Sequence, residues 1–451
     1  MGLSQRGARP QQRHGSGGRS SRAVAGLPAR AAAVTAIIDV LEHQRPFESD
    51  GAAFVGLEAA DRGLARAIVG TTLRRHGEIR GALDRLMSKP PTTRMGKLSA
   101  ILDTAAAQIL FMDVPDHAAV SLALELAEAD PKARHFKPLA NGVLRALARE
   151  RETFRAETVP PFADTPKWLA ARWRKAFGEA GAAAIAEAHR FEAPLDVTVR
   201  DDPAGWAEKL GGVALPTGSV RLDGKGRIEA MPGFAEGAWW VQDVAAALPA
   251  RLLGDVGGKT VLDLCAAPGG KTAQLAAAGA VVTALDLSPE RLSRLKENLA
   301  RLKLPATTVA ADGTTYDPPE RFDAVLLDAP CSATGTIRRH PDIPFLKRES
   351  DLASLAVIQQ ALLARAVELT KPGGTIVFAT CSLEPEESEA QIEAALRDLP
   401  VELMPLAAGD FPGLAAEWVV GGVLRTTPGH APGPGIEGGM DGFFAARLRR
   451  R

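Results

Sequence analysis

The feature that most limits what this chain can fold into begins at about Val241. From there short apolar runs alternate with turns and helical stretches. TVLDL (260–264) precedes KTAQLAAAG, and VVTALD (281–286) precedes SPERLSRLKENLARL; then come TTVAAD, FDAVLLDAP, GTIVFATCS and GFFAARLRR. Strands and helices in such alternation build a largely parallel sheet with helices on both faces. Ligands of such sheets gather at the carboxyl ends of the strands. The polar and small-residue motifs of this half fall at those ends.

The rest of the chain reads differently. Residues 1–22 carry Arg6, Arg9, Arg13, Arg19 and Arg22, no acid and almost nothing apolar. Such a segment buries too little surface to offset its ordering entropy, so it is expected to be disordered. It is either a basic arm for RNA phosphates or a solubilising tail. Between residues 23 and 155 apolar residues recur at three- and four-residue steps, as in Leu64, Ile68, Val69 and Leu73, which predicts six or seven helices. A proline-rich joint (Pro160, Pro161, Pro166) opens residues 156–240, expected to form a small α/β unit without identifiable chemistry. No apolar run reaches the roughly 18 residues of a membrane span. With no apolar amino-terminal stretch and only three cysteines, the expectation is a soluble, cytoplasmic monomer without a membrane partner.

The turn after TVLDL runs Cys265-Ala266-Ala267-Pro268-Gly269-Gly270-Lys271-Thr272. Its GGKT tail suggests a phosphate loop, but the position that should be the first Gly is Cys265, and Pro268 removes an amide. What remains is a tight turn at a helix amino terminus, able to hold a carboxylate through backbone N–H groups. Asp286 ends the second strand, where an acid can accept both ribose hydroxyls. Asp312 follows the third and could take an adenine amine. Singly, each acid could be a helix cap. Together they describe an adenosine with an amino-acid tail and no phosphates: S-adenosylmethionine. No metal site is expected.

Asp328-Ala329-Pro330-Cys331 follows the fourth strand and Thr380-Cys381-Ser382 the fifth. A strand-end cysteine taken alone is commonly packing; two of three flanking one expected pocket point to chemistry. Carbon 5 of cytosine is too weak a nucleophile to take a methyl group unaided. A thiolate adding to carbon 6 makes it enamine-like. A carboxyl group near ring nitrogen 3 can stabilise the developing charge, and a base must then remove the carbon 5 proton. Cys265 is expected to be a packing residue of the turn.

The strings VLDLCAAPGGKT, DLSPERL, FDAVLLDAPCSATGTIRRHPDI, ATCSLEPEE and GMDGFF resemble the RNA 5-methylcytosine methyltransferases of the Sun and nucleolar-protein family, in particular its RsmB-like ribosomal RNA group. The alanine-rich first helix and ANGVLRALARE (140–150) resemble the NusB-like RNA-binding domain, the arrangement of that group. The resemblance implies a multidomain chain: a NusB-like all-α domain (23–155), a linker unit (156–240) and a Rossmann-like methyltransferase domain (241–451). It implies Cys381 as nucleophile, Cys331 as the residue assisting product release, and Asp328 in contact with cofactor or base. Cys265 through Lys271, Asp286, Arg291, Asp312 and Asp328 would line the S-adenosylmethionine pocket. The substrate implied is small-subunit (16S) ribosomal RNA. Alternatives are the same chemistry on transfer RNA, or a non-catalytic NusB-like RNA-binding or assembly factor. DNA cytosine methyltransferases instead place the nucleophile in the Pro-Cys of the fourth-strand motif. The segment RTTPGHAPGPGIEGGMDGFF (425–444) departs from the family in extra Gly and Pro, which implies a longer loop.

The target base must leave its stack to reach such a pocket, and basic residues are expected to hold RNA phosphates. Arg338 and Arg339 are the first candidates, with Lys347 and Arg348 after them. The chain carries 54 basic and 54 acidic residues, but the balance is +5 over 1–22, +2 over 23–155 and −7 over the rest. Overall neutrality therefore excludes no RNA partner.

Overall fold

The computed structural model describes residues 25–48, 51–222 and 226–451; the basic segment 1–22 lies outside the described residues. Seven helices form the first unit: α1 (Leu27–Leu41), α2 (Ala59–Arg74), α3 (His76–Leu86), α4 (Leu98–Phe111), α5 (Asp116–Ala129), α6 (Lys137–Arg149) and α7 (Arg151–Ala156). Helix α4 is the axis of this bundle. Its sequence is mostly apolar, and it is buried along nearly its whole length by α1, α2, α3, α5 and α6, with the buried Asp103 paired to Arg80.

The linker unit contains α8 (Lys167–His189), β1 (Leu195–Val199), α9 (Pro203–Leu210), β2 (Gly212–Ala214), β3 (Ser219–Leu222) and β4 (Trp239–Val241). The strands form an antiparallel sheet in the order β2-β3-β1-β4 over a core of Val197, Val220, Leu222 and Trp239. Helix α8 matches the helical stretch read from the sequence and bends at Gly178, whose φ is 71°.

The second half opens with α10 (Leu248–Arg251), β5 (Thr260–Leu264), α11 (Gly270–Ala277), β6 (Val281–Asp286), α12 (Pro289–Leu302), β7 (Thr307–Ala310) and β8 (Phe322–Asp328). It continues through α13 (Ile343–Leu346), α14 (Asp351–Leu369), β9 (Thr370–Thr380), α15 (Glu389–Asp398), β10 (Val401–Leu403), β11 (Val419–Val420), β12 (Val423–Arg425) and β13 (Phe444–Arg450). All nine strands of this half join one sheet, ordered β11-β12-β13-β9-β8-β5-β6-β7, with β10 also on β13. Strands β5 to β9 pair in parallel, but β10 to β13 are antiparallel additions. The sheet is thus more mixed than the alternating pattern predicts, because after α15 has led into β10 the strands β10 to β13 follow one another through loops rather than crossover helices.

Alternation decides which face each side chain covers. Val261, Ala324, Leu326 and Val377 point to the core under α10 and α11, while Leu262, Leu264, Val325, Leu327 and Ile376 face α14 and α15. Helix α14 is the one helix among the described residues long and apolar enough to cross a membrane, but Leu362, Leu363, Ala366, Val367 and Leu369 are buried in that core.

The helical unit docks through the segment around α13. Phe345 and Leu346 pack on its core, His76 meets the Phe345 ring edge-on at 5.3 Å, and the Phe47 amide donates to Asp342 at 2.9 Å. Helix α8 reaches further in: Leu169, Trp173, Ala182 and Ile185 share one apolar cluster with Ile337, Ile343 and Leu383. Trp173 is 1% exposed, and its indole N–H donates to Glu384 at 3.1 Å. Replacing Trp173 with Ala should lower stability by about 3–5 kcal/mol through the cavity it leaves. A denaturant titration followed by circular dichroism would read this as a lower unfolding midpoint; an unchanged midpoint would contradict the packing described.

Candidate active site

The strand order reverses between β5 and β8, since the chain runs from β5 outward through β6 and β7 and then returns to β8 and β9 on the other side. A cleft opens at such a reversal, outside the carboxyl ends of the strands. The turn after β5 borders it. Cys265 has φ 65° and Gly269 φ 104°, and a Cβ on Gly269 would lie 2.7 Å from Leu295 Cγ, so Gly is required there. Asp286 receives the Ala267 amide at 3.1 Å and the Ser288 amide at 3.0 Å, and Arg291 pairs with it at 3.3 Å while donating to the Ala267 carbonyl. Asp312 is exposed and accepts from Thr314 Oγ1 at 2.7 Å. Lys271, nearly buried, donates to Asp328 at 2.7 Å and joins the turn to the end of β8.

Beneath the turn lies Asp263, a residue that the sequence reading did not single out. It is fully buried, and burial pushes its carboxyl up to about 7. One oxygen accepts from Thr272 Oγ1 at 2.5 Å; the other has no hydrogen-bond partner. The turn therefore keeps one buried acceptor in reserve for a cation, with the Asp286 and Asp312 carboxylates at the next two strand ends. Asp286 and Asp312 thus stand where the sequence reading expects ribose and adenine contacts. Burial, aided by the nearby Asp328, Asp286 and Asp263, holds the Cys265 thiol up at about 12. It is an inert thiol.

The two other cysteines come together. Cys331 Sγ and Cys381 Sγ lie 3.5 Å apart at the ends of the neighbouring strands β8 and β9. The hydrogen bond to Cys381, then burial, then the Glu387 carboxylate hold the Cys331 thiol well above its usual range. Both loops are tied down by backbone bonds, Ala329 N to Ala379 O and Gly335 N to Cys381 O, each 2.9 Å. The Gly442 amide closes on the Gly335 carbonyl at 2.8 Å, and a Cβ on Gly335 would lie 2.0 Å from the Gly442 carbonyl oxygen. Only two glycines allow that approach, which explains part of GMDGFF.

The expectation that Arg338 holds RNA phosphates is corrected by its burial. It is 1% exposed, and its guanidinium donates to Asp243 at 3.1 Å, to Asp441 at 3.3 Å and to the Gly438 carbonyl. Arg339 is partly exposed but spends its donors on Asp441, with Nε 2.7 Å from Oδ2. Burial works against its charge, yet Asp441, Asp243 and the Cys381 thiol raise its pKa above the usual value. Arg348 bonds Gln44 of the helical unit at 2.6 Å, and Lys347 is half-buried. Asp243 was missed because it stands outside the quoted motifs, and Asp441 because it was read only as part of the string GMDGFF; both lie far in sequence from the Arg338 they serve. Glu384 was likewise read only as part of a string; it receives Arg172 Nε at 2.6 Å and Trp173. The linker unit therefore touches the cysteine loops.

The helical unit matches the NusB family over residues 27–149. The family described as 16S rRNA methyltransferase RsmB/F matches residues 250–449. Ribosomal RNA small subunit methyltransferase B of Cronobacter sakazakii is 37% identical, with 87% of this chain and 91% of that protein covered. That of Salmonella arizonae is 38% identical over the same shares. Among solved structures, a methyltransferase homolog protein from Pyrococcus horikoshii has TM-score 0.53 and 28% identity, covering 63% of this chain and 95% of its own. PH0851 has TM-score 0.71 at 22% identity, covering 95% and 99%, a likeness of fold. S-adenosylmethionine is the cofactor of this methyltransferase family. By its sequence over nearly the whole chain, the protein belongs to the ribosomal RNA small subunit methyltransferase B family.

Proposed function

We propose that the protein methylates carbon 5 of a cytosine in small-subunit ribosomal RNA, with Cys381 bonded to the base during the reaction. The observation that carries this reading is the pair of thiols 3.5 Å apart beside the cofactor turn. Methylation of an exocyclic amine needs no thiol, and none of its chemistry uses two.

Cys331 is the thiol that stays protonated, which leaves the nucleophilic role to Cys381. The Cys331 S–H can donate to Cys381 Sγ. Cys381 Sγ then bonds to carbon 6 of the flipped base, and the ring electrons move to carbon 5. The cofactor, when bound, supplies an electrophilic methyl group on a sulfonium. Once Cys381 is held in a thioether its charge is gone, and Cys331 loses the neighbour that most opposed its ionisation. Its proton can then pass to solvent, and the Cys331 thiolate can take the carbon 5 proton as the bond from carbon 6 to sulfur breaks and Cys381 departs as thiolate, so that one proton is released per turnover. Asp328, with its charge matched by Lys271, sits at the strand end between turn and thiols and can face the cofactor or the base.

With Arg338 buried, phosphate contacts are better sought on the helical unit. Arg94 and Lys97 precede α4, and Lys132 and Arg134 precede α6; all four are exposed. The two loops abut, since a Cβ on Gly96 would lie 2.9 Å from Lys132 Cβ. The one acid between them, Asp130, accepts the backbone amides of Lys132 and Ala133. This leaves a net positive ridge suited to an RNA backbone.

Bisulfite mapping of total RNA from cells with and without the protein should reveal one small-subunit cytosine that loses its methyl group. A lost site in transfer RNA would move the substrate there. Cys381→Ser should abolish transfer with cofactor affinity near normal, while Cys331→Ala should accumulate a denaturation-resistant protein–RNA adduct on gels. Binding of RNA with no transfer by the intact protein would favour a scaffold instead.

Replacing Arg94, Lys132 and Arg134 with Ala should weaken RNA binding and reduce the slope of log affinity against log salt by about 2–3. Fluorescence anisotropy at several salt concentrations checks this; an unchanged slope would remove the ridge from the interface.

Asp263 carries the pH dependence. Its carboxyl sits at about 7 in the folded chain against about 3.9 unfolded. Ionising it therefore opposes folding as pH rises from the lower value toward the upper, and the cofactor ammonium relieves that cost. Cofactor affinity should rise with pH up to about 7, by at most about tenfold per unit for one proton, then level off. Asp263→Asn should flatten the profile in calorimetric titrations; a steep profile in the variant would refute the assignment.

A further inference from the structure

Neither cysteine lies in a helix or strand that would fix its side chain by regular backbone bonding. Cys331 follows β8 and Cys381 follows β9, each in a loop that backbone bonds hold only at Ala329 and Gly335. Their spacing must nevertheless persist while Cys381 forms and breaks a bond to a base. Something has to hold the two loops together.

That something is a buried carboxylate. Glu387 is 0% exposed and lies six residues after Cys381. It accepts the Ser332 amide at 2.9 Å, the Ser332 hydroxyl, and the Ser382 hydroxyl at 2.5 Å. Ser332 and Ser382 are the residues immediately after the two cysteines, and their hydroxyls lie 3.1 Å apart. Gln359 of α14 adds a third side: its Nε2 donates to Glu387 at 3.1 Å and to the Pro330 carbonyl at 2.9 Å. Thr380, just before Cys381, meets Ser388, just after Glu387, at 3.2 Å. Both flanks of both cysteines are thus gripped by one polar cluster.

We propose that Glu387 is a positioning residue for methyl transfer, tying the loop that carries Cys331 to the loop that carries Cys381 and so setting the distance between the thiols. It touches neither substrate nor cofactor. The residue type follows from the donors. Two hydroxyls, a backbone N–H and an amide N–H all converge on it, and only a carboxylate offers acceptors alone. A glutamine of the same shape would set its own N–H₂ against one of those donors. Burial makes the cluster exacting, because an unmatched polar group there has no water to turn to. The proposal rests on the two-thiol reaction for its consequence, but the spacing itself can be measured without RNA.

The test uses the full chain and three variants: Glu387→Gln, Glu387→Asp, and the pair Ser332→Ala with Ser382→Ala. Phenylarsine oxide, which is captured stably only by two neighbouring thiols, reports the spacing. Methyl transfer to unmodified small-subunit RNA at saturating cofactor and RNA reports the rate, and calorimetric S-adenosylmethionine affinity reports the fold of the cofactor half. Glu387→Gln should lose most arsenical capture and about 100-fold in rate, the scale expected when reacting groups are misplaced by about 1 Å, with cofactor affinity unchanged. Glu387→Asp, which keeps the acceptors on a shorter stem, should recover part of both. If Glu387→Gln cannot bind cofactor, the double serine variant decides by the same two readouts. Wild-type capture in either folded variant would overturn the proposal, whatever happens to the rate. If the unaltered protein transfers no methyl group, the reaction reading fails, while arsenical capture still judges the clamp.

Discussion

The arrangement of this molecule depends on one buried guanidinium. Arg338 stands in the loop after β8, yet its partners come from elsewhere: Asp243 after β4, and Asp441 with the Gly438 carbonyl before β13. Its own carbonyl receives Arg74 from helix α2 at 2.9 Å. A cation so fully withdrawn from water is tolerated only where its charge and donors are matched. Matching it forces the linker unit, the segment before β13 and the cysteine loop into one relative placement. The network extends outward, since Asp196 of β1 holds Arg221 of β3 at 2.8 Å from both ends of the guanidinium and also accepts the Val244 amide. The floor of the small sheet and the wall of the thiol site are thus one continuous set of charges.

The thiol site shows the same economy at smaller scale. Cys265, Cys331 and Cys381 are all partly buried, but their surroundings separate them. Cys265 sits among three carboxylates, Asp328, Asp286 and Asp263, and is kept protonated. Cys331 and Cys381 face each other, and that contact, with burial, holds Cys331 protonated.

What was legible in the sequence is what local spacing controls. Short apolar runs followed by turns and helices announced β5, β6 and β8, and the motifs at their ends announced a ligand edge; the helical stripes up to residue 155 announced the bundle. The turn after β5 and the two thiols could be singled out because each lies in a compact string, and the structure brings the thiols together. Arg338 was misjudged for the same reason: its neighbours in sequence suggested a phosphate contact, while its actual partners lie 95 and 103 residues away. Glu387 and Glu384 were inside a recognised string, but nothing in one dimension says that their side chains turn inward toward Ser332 and Trp173. The linker unit looked empty of chemistry because Arg172 and Trp173 act only after α8 has packed. Side chains that bridge distant segments carry no periodic signal, and those are the ones the sequence concealed.

Strand β13 lies between β9 and β12 although 63 residues separate Thr380 from Phe444. During synthesis Cys381 therefore emerges well before the strand that completes its sheet, and before Asp441 arrives to neutralise Arg338. Until then Arg338 has lost one of its two carboxylates and the Gly335 carbonyl lacks the Gly442 amide. A nascent chain would expose both thiols on an unfinished edge, without the ordered surroundings that hold them 3.5 Å apart. The topology thereby delays completion: the cysteine loops are made before the strand and the carboxylate that fix them.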